Sequence, residues 1–219
     1  MNIYNVFQSE LDKFVQRVMP NEKISRGIIN SESFAFCAIA NHLNIDLVIE
    51  SGICNAGSTV IWAKYFLNME PIIAIDVDIK QEAVDRLEPH NNVIIVHGNA
   101  SVEMPSLIKK MPNARIALFI DGPKNARAVQ LAKRCFEFPQ VQLIGVHDMC
   151  KIFYGNQVCE GRKKMDEWST ESKFYTDEPE FVSLYKTLDG EDGLESNPKY
   201  VHDGIGYGPT VGLVWKGSL

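Results

Sequence analysis

The chain has 219 residues, 45% hydrophobic and 23% charged, which suits one large globular domain with a sizeable core. A formal net charge of -6 and an isoelectric point near 5.4 leave no basic footprint for nucleic acid, although Arg162-Lys163-Lys164 forms a local basic run. No apolar stretch approaches the ~18 residues of a membrane helix and no basic region precedes an apolar one at the N-terminus, so no membrane partner is expected and the cytoplasm is the expected compartment.

Phe7, Leu11, Phe14, Val15 and Val18 recur at helical spacing, which predicts an amphipathic helix over 4–18, ended by Pro20. A second helix is predicted over 33–43, carrying Phe34, Ile39 and Leu43. Residues 1–44 thus read as an N-terminal helical cap, packed on the rest of the chain or on a second copy of it, which leaves a homo-oligomer open. From Ile45 apolar runs end at Glu50, Asp76, His97, Asp121 and His147, with helical patterns between them at 58–67, 79–88, 102–111 and 124–137. This alternation predicts an α/β fold, a doubly wound parallel sheet with helices on both faces, and it points every strand tip at one rim. Asp78 reads as the N-cap of the 79–88 helix. Residues 149–180 break the pattern and read as an insertion or lid, followed by strands at 181–188 and 210–215. The five cysteines are scattered without a C-x-x-C pair and read as free thiols.

The stretch 47–62 is the predicted ligand site. An apolar strand ends in Glu50, turns through Gly52 and Gly57, and restarts as a helix behind Ser58, read as its N-cap. Ligands of open α/β sheets bind outside the carboxyl ends of the strands, where helix-start N–H groups favour an anion. The loop lacks the G-x-G-x-x-G of dinucleotide sites, and Glu50 repels a doubly anionic group. S-adenosylmethionine, with an ammonium and a sulfonium beside one carboxylate, suits both the acid and the helix start. Asp76, ending the second strand with Val77 after it, is placed to accept hydrogen bonds from ribose hydroxyls.

Glu50-x-Gly52-x-x-x-x-Gly57-Ser58-Thr59 resembles motif I of class I S-adenosylmethionine-dependent methyltransferases, and is most similar to small-molecule O-methyltransferases of the catechol type and the macrocin- and cephalosporin-hydroxylase-like group. Ala56 replaces a glycine of the family's loop, which narrows the approach to the methionine moiety. The resemblance spans about 45–216 and implies a Rossmann-like sheet of about seven strands with an antiparallel last strand, residues 181–219 forming the C-terminal hairpin and 45–148 the cofactor-binding core of a single domain, 1–219. It further implies that Asn99, before Ala100, stands where an acid reads the adenine amino group, and that Asp121 borders the cofactor. In metal-dependent members the matching positions make Asp121, His147 and Asp148 ligands of Mg²⁺ and Lys124 the base. A histidine ligand suits Mn²⁺ better than Mg²⁺. The alternatives are His147 as a general base without metal, and Lys124 as a structural partner of Asp121. The expected reaction is methyl transfer to a small-molecule hydroxyl, with a nitrogen acceptor, an inactive ligand-binding protein and an NAD-dependent oxidoreductase as the rival readings. Tyr154, Trp168 and Tyr207 are candidates to line the acceptor pocket.

Overall fold

The computed structural model describes residues 2–19, 28–68, 71–150, 159–170, 172–189, 201–202, 205–206 and 210–219. Two helices, α1 (Ile3–Val18) and α2 (Asn30–His42), lead into the alternating series β1 (Leu47–Ser51), α3 (Gly57–Tyr65), β2 (Ile72–Asp76), α4 (Gln81–Leu87), β3 (Val93–His97), α5 (Ala100–Lys110), β4 (Ile116–Ile120), α6 (Ala126–Phe136) and β5 (Val141–Val146). Then follow α7 (Glu160–Asp166), β6 (Lys173–Tyr175), α8 (Pro179–Tyr185) running into a 3-10 turn (Lys186–Asp189), a small ribbon of β7 (Val201–His202) and β8 (Ile205–Gly206), and β9 (Gly212–Trp215).

Seven strands form one sheet in the order β3-β2-β1-β4-β5-β9-β6. β1 to β5 are parallel, and β9 runs antiparallel between β5 and β6. The expected doubly wound sheet with an antiparallel last strand is therefore present. The central strands are apolar throughout because both faces are covered. Val48, Ile72, Ala117, Phe119 and Leu143 face α1, α2 and α3, whereas Leu47, Ile49, Ile73, Leu118 and Ile144 face α5 and α6. Chain order reverses between β1 and β4, which opens a crevice at their carboxyl ends.

Three expectations change. The stretch 181–188 is helical: Phe181, Tyr185 and Leu188 recur at a helical period and are buried together, and Pro179 starts the helix. The sixth strand of the sheet comes instead from 173–175, inside the predicted lid, where Phe174 and Tyr175 pair with Leu213 and Gly212. The N-terminal helices are more than a cap. Every residue of α2 from Ser31 to Ala40 is buried, because the helix has small or apolar side chains on all sides. It lies directly on the sheet where Gly145 leaves room: a Cβ there would meet Phe119 at 2.9 Å and Phe36 at 3.0 Å. The apolar face of α1 packs on α2 and α3 within the same chain. Among the described residues, no helix is long and apolar enough to cross a membrane.

Phe7 joins the two ends of the chain. Its fully buried ring meets Phe34 of α2, Phe174 of β6, and Phe181 and Tyr185 of α8 at centroid distances of 5.1 to 5.9 Å. Phe7→Ala is expected to cost about 3–5 kcal/mol, read as a lower midpoint of denaturant unfolding.

Candidate active site

The β1–α3 turn is fixed by backbone geometry. Gly52 adopts φ +88°, and a Cβ on it would lie 2.8 Å from the Gly122 nitrogen and 2.9 Å from the Asp121 carbonyl carbon. Ser51 O accepts from the amides of Asp121 at 2.9 Å and Gly122 at 3.1 Å, so the tips of β1 and β4 are stitched together. From β2, Asp76 Oδ2 accepts from the amides of Ile53 at 2.7 Å and Cys54 at 3.3 Å, and its Oδ1 from that of Asp78 at 3.0 Å. Asp78 gives its backbone amide to this turn, and Lys80, two residues on, takes the N-cap position of α4.

Ala56, not Ser58, is the N-cap of α3, in the left-handed region at φ 64° and ψ 22°. For an alanine this conformation costs about 1–2 kcal/mol. Its methyl is buried among Ile53, Val60, Ala74 and Leu87, so it does not narrow the cofactor approach. Gly57 opens the helix and is buried, and Ser58 sits one residue further, where its hydroxyl donates to Glu50. Glu50 is fully buried and also accepts from the Thr59 hydroxyl and, at 3.1 Å, from Trp62 Nε1. Burial pushes its carboxyl up to about 7 against these donors. Glu50 thus faces inward as the clamp of α3 rather than outward toward a ligand.

At the β3 side, Val77 is exposed and Ala100 is buried at the start of α5. Asn99 caps α5, its Oδ1 accepting from the Ser101 amide at 2.9 Å. The amide oxygen expected to read adenine is engaged, while the Nδ2 donor has no partner among the described residues.

The tips of β4 and β5 carry alternating charges. His147 is buried, with Nδ1 2.7 Å from Asp121 Oδ1 and Nε2 3.4 Å from Glu32 Oε2. The Lys124 ammonium bonds Asp121 and reaches Asp148 Oδ2 at 2.7 Å. Burial alone would drive the imidazole toward neutrality, but Asp121 and Glu32 hold its pKa well above the ordinary value. Burial pushes Glu32 up to about 7, with His147 acting against it. Asp121, despite the burial that would raise it, is kept below its ordinary value by His147 and Lys124. Burial lowers Lys124, and its two carboxylate partners more than restore it, which favours its charged form. Asp148, at φ 61°, joins Cys54, Ala56 and Asn125 as non-glycine residues with positive φ around this rim.

Ligand atoms of Asp121, His147 and Asp148 lie within 4.8 Å of one another, a spacing that a divalent ion accepts. Lys124 stands in the same place. His147 has Asp121 at Nδ1 and Glu32 at Nε2. A divalent ion would take this place by displacing the Lys124 ammonium.

No protein-family model and no curated protein matches the sequence. Solved structures match in shape. TomG, the O-methyltransferase from Streptomyces achromogenes involved in tomaymycin synthesis, in complex with S-adenosylmethionine, aligns at TM-score 0.52 and 10% identity, over 98% of this chain and 89% of that one. The S-adenosylhomocysteine-bound methyltransferase PaMTH1 from Podospora anserina aligns at 0.50 and 11% identity, over 97% and 88%. A Klebsiella pneumoniae protein assigned to the O-methyltransferases aligns at 0.51 and 12% identity, over 97% and 90%. The fold is that of the O-methyltransferases.

Within this methyltransferase fold the rim gathers Gly52, Asp76, Asp121, Lys124, His147 and Asp148 as the sequence suggests. It adds Glu32, which sequence reading passed over by starting α2 a turn late. The signal was present: an acid heading a run with no polar face is carried inside with it. Trp168 packs edge-on against Phe136 on the α6 side, which makes it a packing residue. Tyr154 and Tyr207 lie outside the described residues.

Gly52→Ala is expected to cost about 2–3 kcal/mol, because both the positive φ and the backbone contact resist a methyl group. A lower urea midpoint checks it, and the opened β1–β4 seam is expected to weaken cofactor binding in parallel.

Proposed function

We propose that the chain transfers a methyl group from S-adenosylmethionine to an oxygen of a small molecule, in the crevice over β1, β2, β4 and β5. The observation that carries this reading is the β1–β4 seam, which sets a methyltransferase-like turn beside a buried His147–Asp121 pair in one crevice. The cofactor, when bound, supplies an electrophilic methyl on a sulfonium. Gly52, Gly57 and Ser58 shape the turn that receives its amino-acid part. Asp76 stays partly exposed and keeps lone pairs for ribose hydroxyls. Val77 offers an apolar surface to the adenine, Asn99 a free amide donor and Ala100 a helix-start position. Asp121 lies between this half and the acceptor half.

On the acceptor side, Asp121 orients the imidazole through Nδ1, and Nε2 of His147 takes the proton of the hydroxyl as it is methylated. The ring has to be neutral to do so. Its raised pKa places that requirement on the alkaline side: transfer rises with pH as the imidazolium is lost. Removing the Asp121 charge lowers the ring's pKa, so Asp121→Asn is expected to shift the ¹⁵N titration of His147, and the pH-rate limb with it, toward lower pH.

Lys124 supplies the positive charge that a metal ion would otherwise bring. Mg²⁺ or Mn²⁺ is therefore expected to leave cofactor affinity of the unaltered chain unchanged, whereas Lys124→Ala frees the Asp121–Asp148 pair and gains saturable Mn²⁺ binding by calorimetry. Cofactor binding itself is tested by titrating S-adenosylmethionine and S-adenosylhomocysteine into the chain and into Asp76→Ala. About tenfold or greater loss in the variant is expected, the effect of removing a charged hydrogen-bond acceptor. No binding of either compound to folded protein overturns the reading.

A further inference from the structure

Buried polar atoms nearly always have a hydrogen-bond partner, and one without marks strain, water or a ligand. Around the first turn of α2 several such atoms gather. The Ser31 hydroxyl, Glu32 Oε1 and Asp189 Oδ2 are shut away from solvent and have no hydrogen-bond partner within bonding geometry among the described residues. Ser31 and Glu32 are fully buried. They belong to one assembly: the Ser31 amide donates to Asp189 Oδ1 at 2.8 Å, the Asn30 side chain donates to Leu188 O at 2.9 Å, and Glu32 Oε2 lies 3.4 Å from the imidazole.

The chemistry of the assembly is one-sided. Three of its atoms, Ser31 Oγ, Glu32 Oε1 and Asp189 Oδ2, have unused acceptor capacity. His147 and Lys124 face Glu32, Asp121 and Asp148, whereas Asp189 accepts from the Ser31 amide; burial raises Glu32 to about 7 and Asp189 to about 6, so both would gain from a cation. A neutral hydroxyl brings one donor and no charge to such a place. A primary ammonium brings three donors and the missing positive charge.

Resting on the methyltransferase reading above, we propose that the methyl acceptor is an amino alcohol, its primary ammonium seated on Ser31, Glu32 and Asp189 and its reacting hydroxyl at His147. The first turn of α2 and the end of the 3-10 turn after α8 together form this subsite, which makes Glu32 and Asp189 the residues that select the acceptor.

The test compares serinol with glycerol, which differ only in an ammonium against a hydroxyl on the central carbon, by saturation-transfer NMR on the full chain loaded with S-adenosylhomocysteine. Serinol is expected to show transfer and glycerol, at the same concentration, none. Serinol binding is expected to weaken about tenfold in Asp189→Asn and to fall in Ser31→Ala, with S-adenosylhomocysteine affinity retained in both as the sign of an intact fold. Equal signals from the two probes, no signal from either, or serinol binding that survives both substitutions overturns the ammonium site and leaves a water-filled polar cluster. If S-adenosylhomocysteine does not bind, the methyltransferase reading fails by itself, and the serinol comparison on the cofactor-free chain judges the ammonium site separately.

Discussion

Glu32 enters the protein on a helix with no polar face, and a carboxylate so placed must be matched or lose its charge. The match is His147 at the tip of β5, which is matched in turn by Asp121 at the tip of β4, and Asp121 by Lys124, which also holds Asp148. His147 and Lys124 hold Asp121 charged, while burial still lifts Glu32 to about 7 against the pull of His147. The arrangement couples elements far apart in the chain: α2, the tips of β4 and β5, and the turn after β4. A buried ion pair is poor evidence of stability on its own account, but it penalises any packing in which one partner is missing. The ladder therefore acts on register and position, holding α2 against the sheet in one place.

The cofactor half of the crevice is built on another principle. There the side chains that look like ligand groups are largely used on the protein itself. Glu50 binds the hydroxyls and indole of α3, Asp76 binds the amides of the β1–α3 turn, and Asn99 caps α5. These bonds pre-form the turn at the cost of left-handed conformations at Cys54 and Ala56. A turn held this way would lose little conformational freedom on binding a ligand.

Much of this was legible in the sequence because the parallel sheet is fully covered. Runs such as Ile72-Ile73-Ala74-Ile75 can only be interior strands, and their last residues fall on one rim whatever the details of the helices. What escaped were features set by tertiary context. Phe181 to Leu188 has both strand-like composition and a helical period, and only burial against Phe7 and Phe34 decides between them. The sixth strand is three residues long and has no pattern of its own; it exists because β9 offers it an edge. Ser58 carries the usual signature of an N-cap, yet the demand of buried Glu50 for donors draws its hydroxyl away and leaves the cap to Ala56. Lys124 has Asp121 and Asp148 at its ammonium, a pairing that its place three residues after Asp121 announces only by half.

The position of β9 has a consequence for how the chain comes to be made. β9 lies between β5 and β6, and among the described residues it is the only strand that β6 pairs with. During synthesis from the N-terminus, β5 presents an open edge and β6 has no place to go until Gly212–Trp215 emerges. A strand late in the chain thus joins β6 to the rest of the sheet. Without β9, the strands β1 to β5 keep their mutual pairing, while β5 is left with an open edge and β6 without its partner.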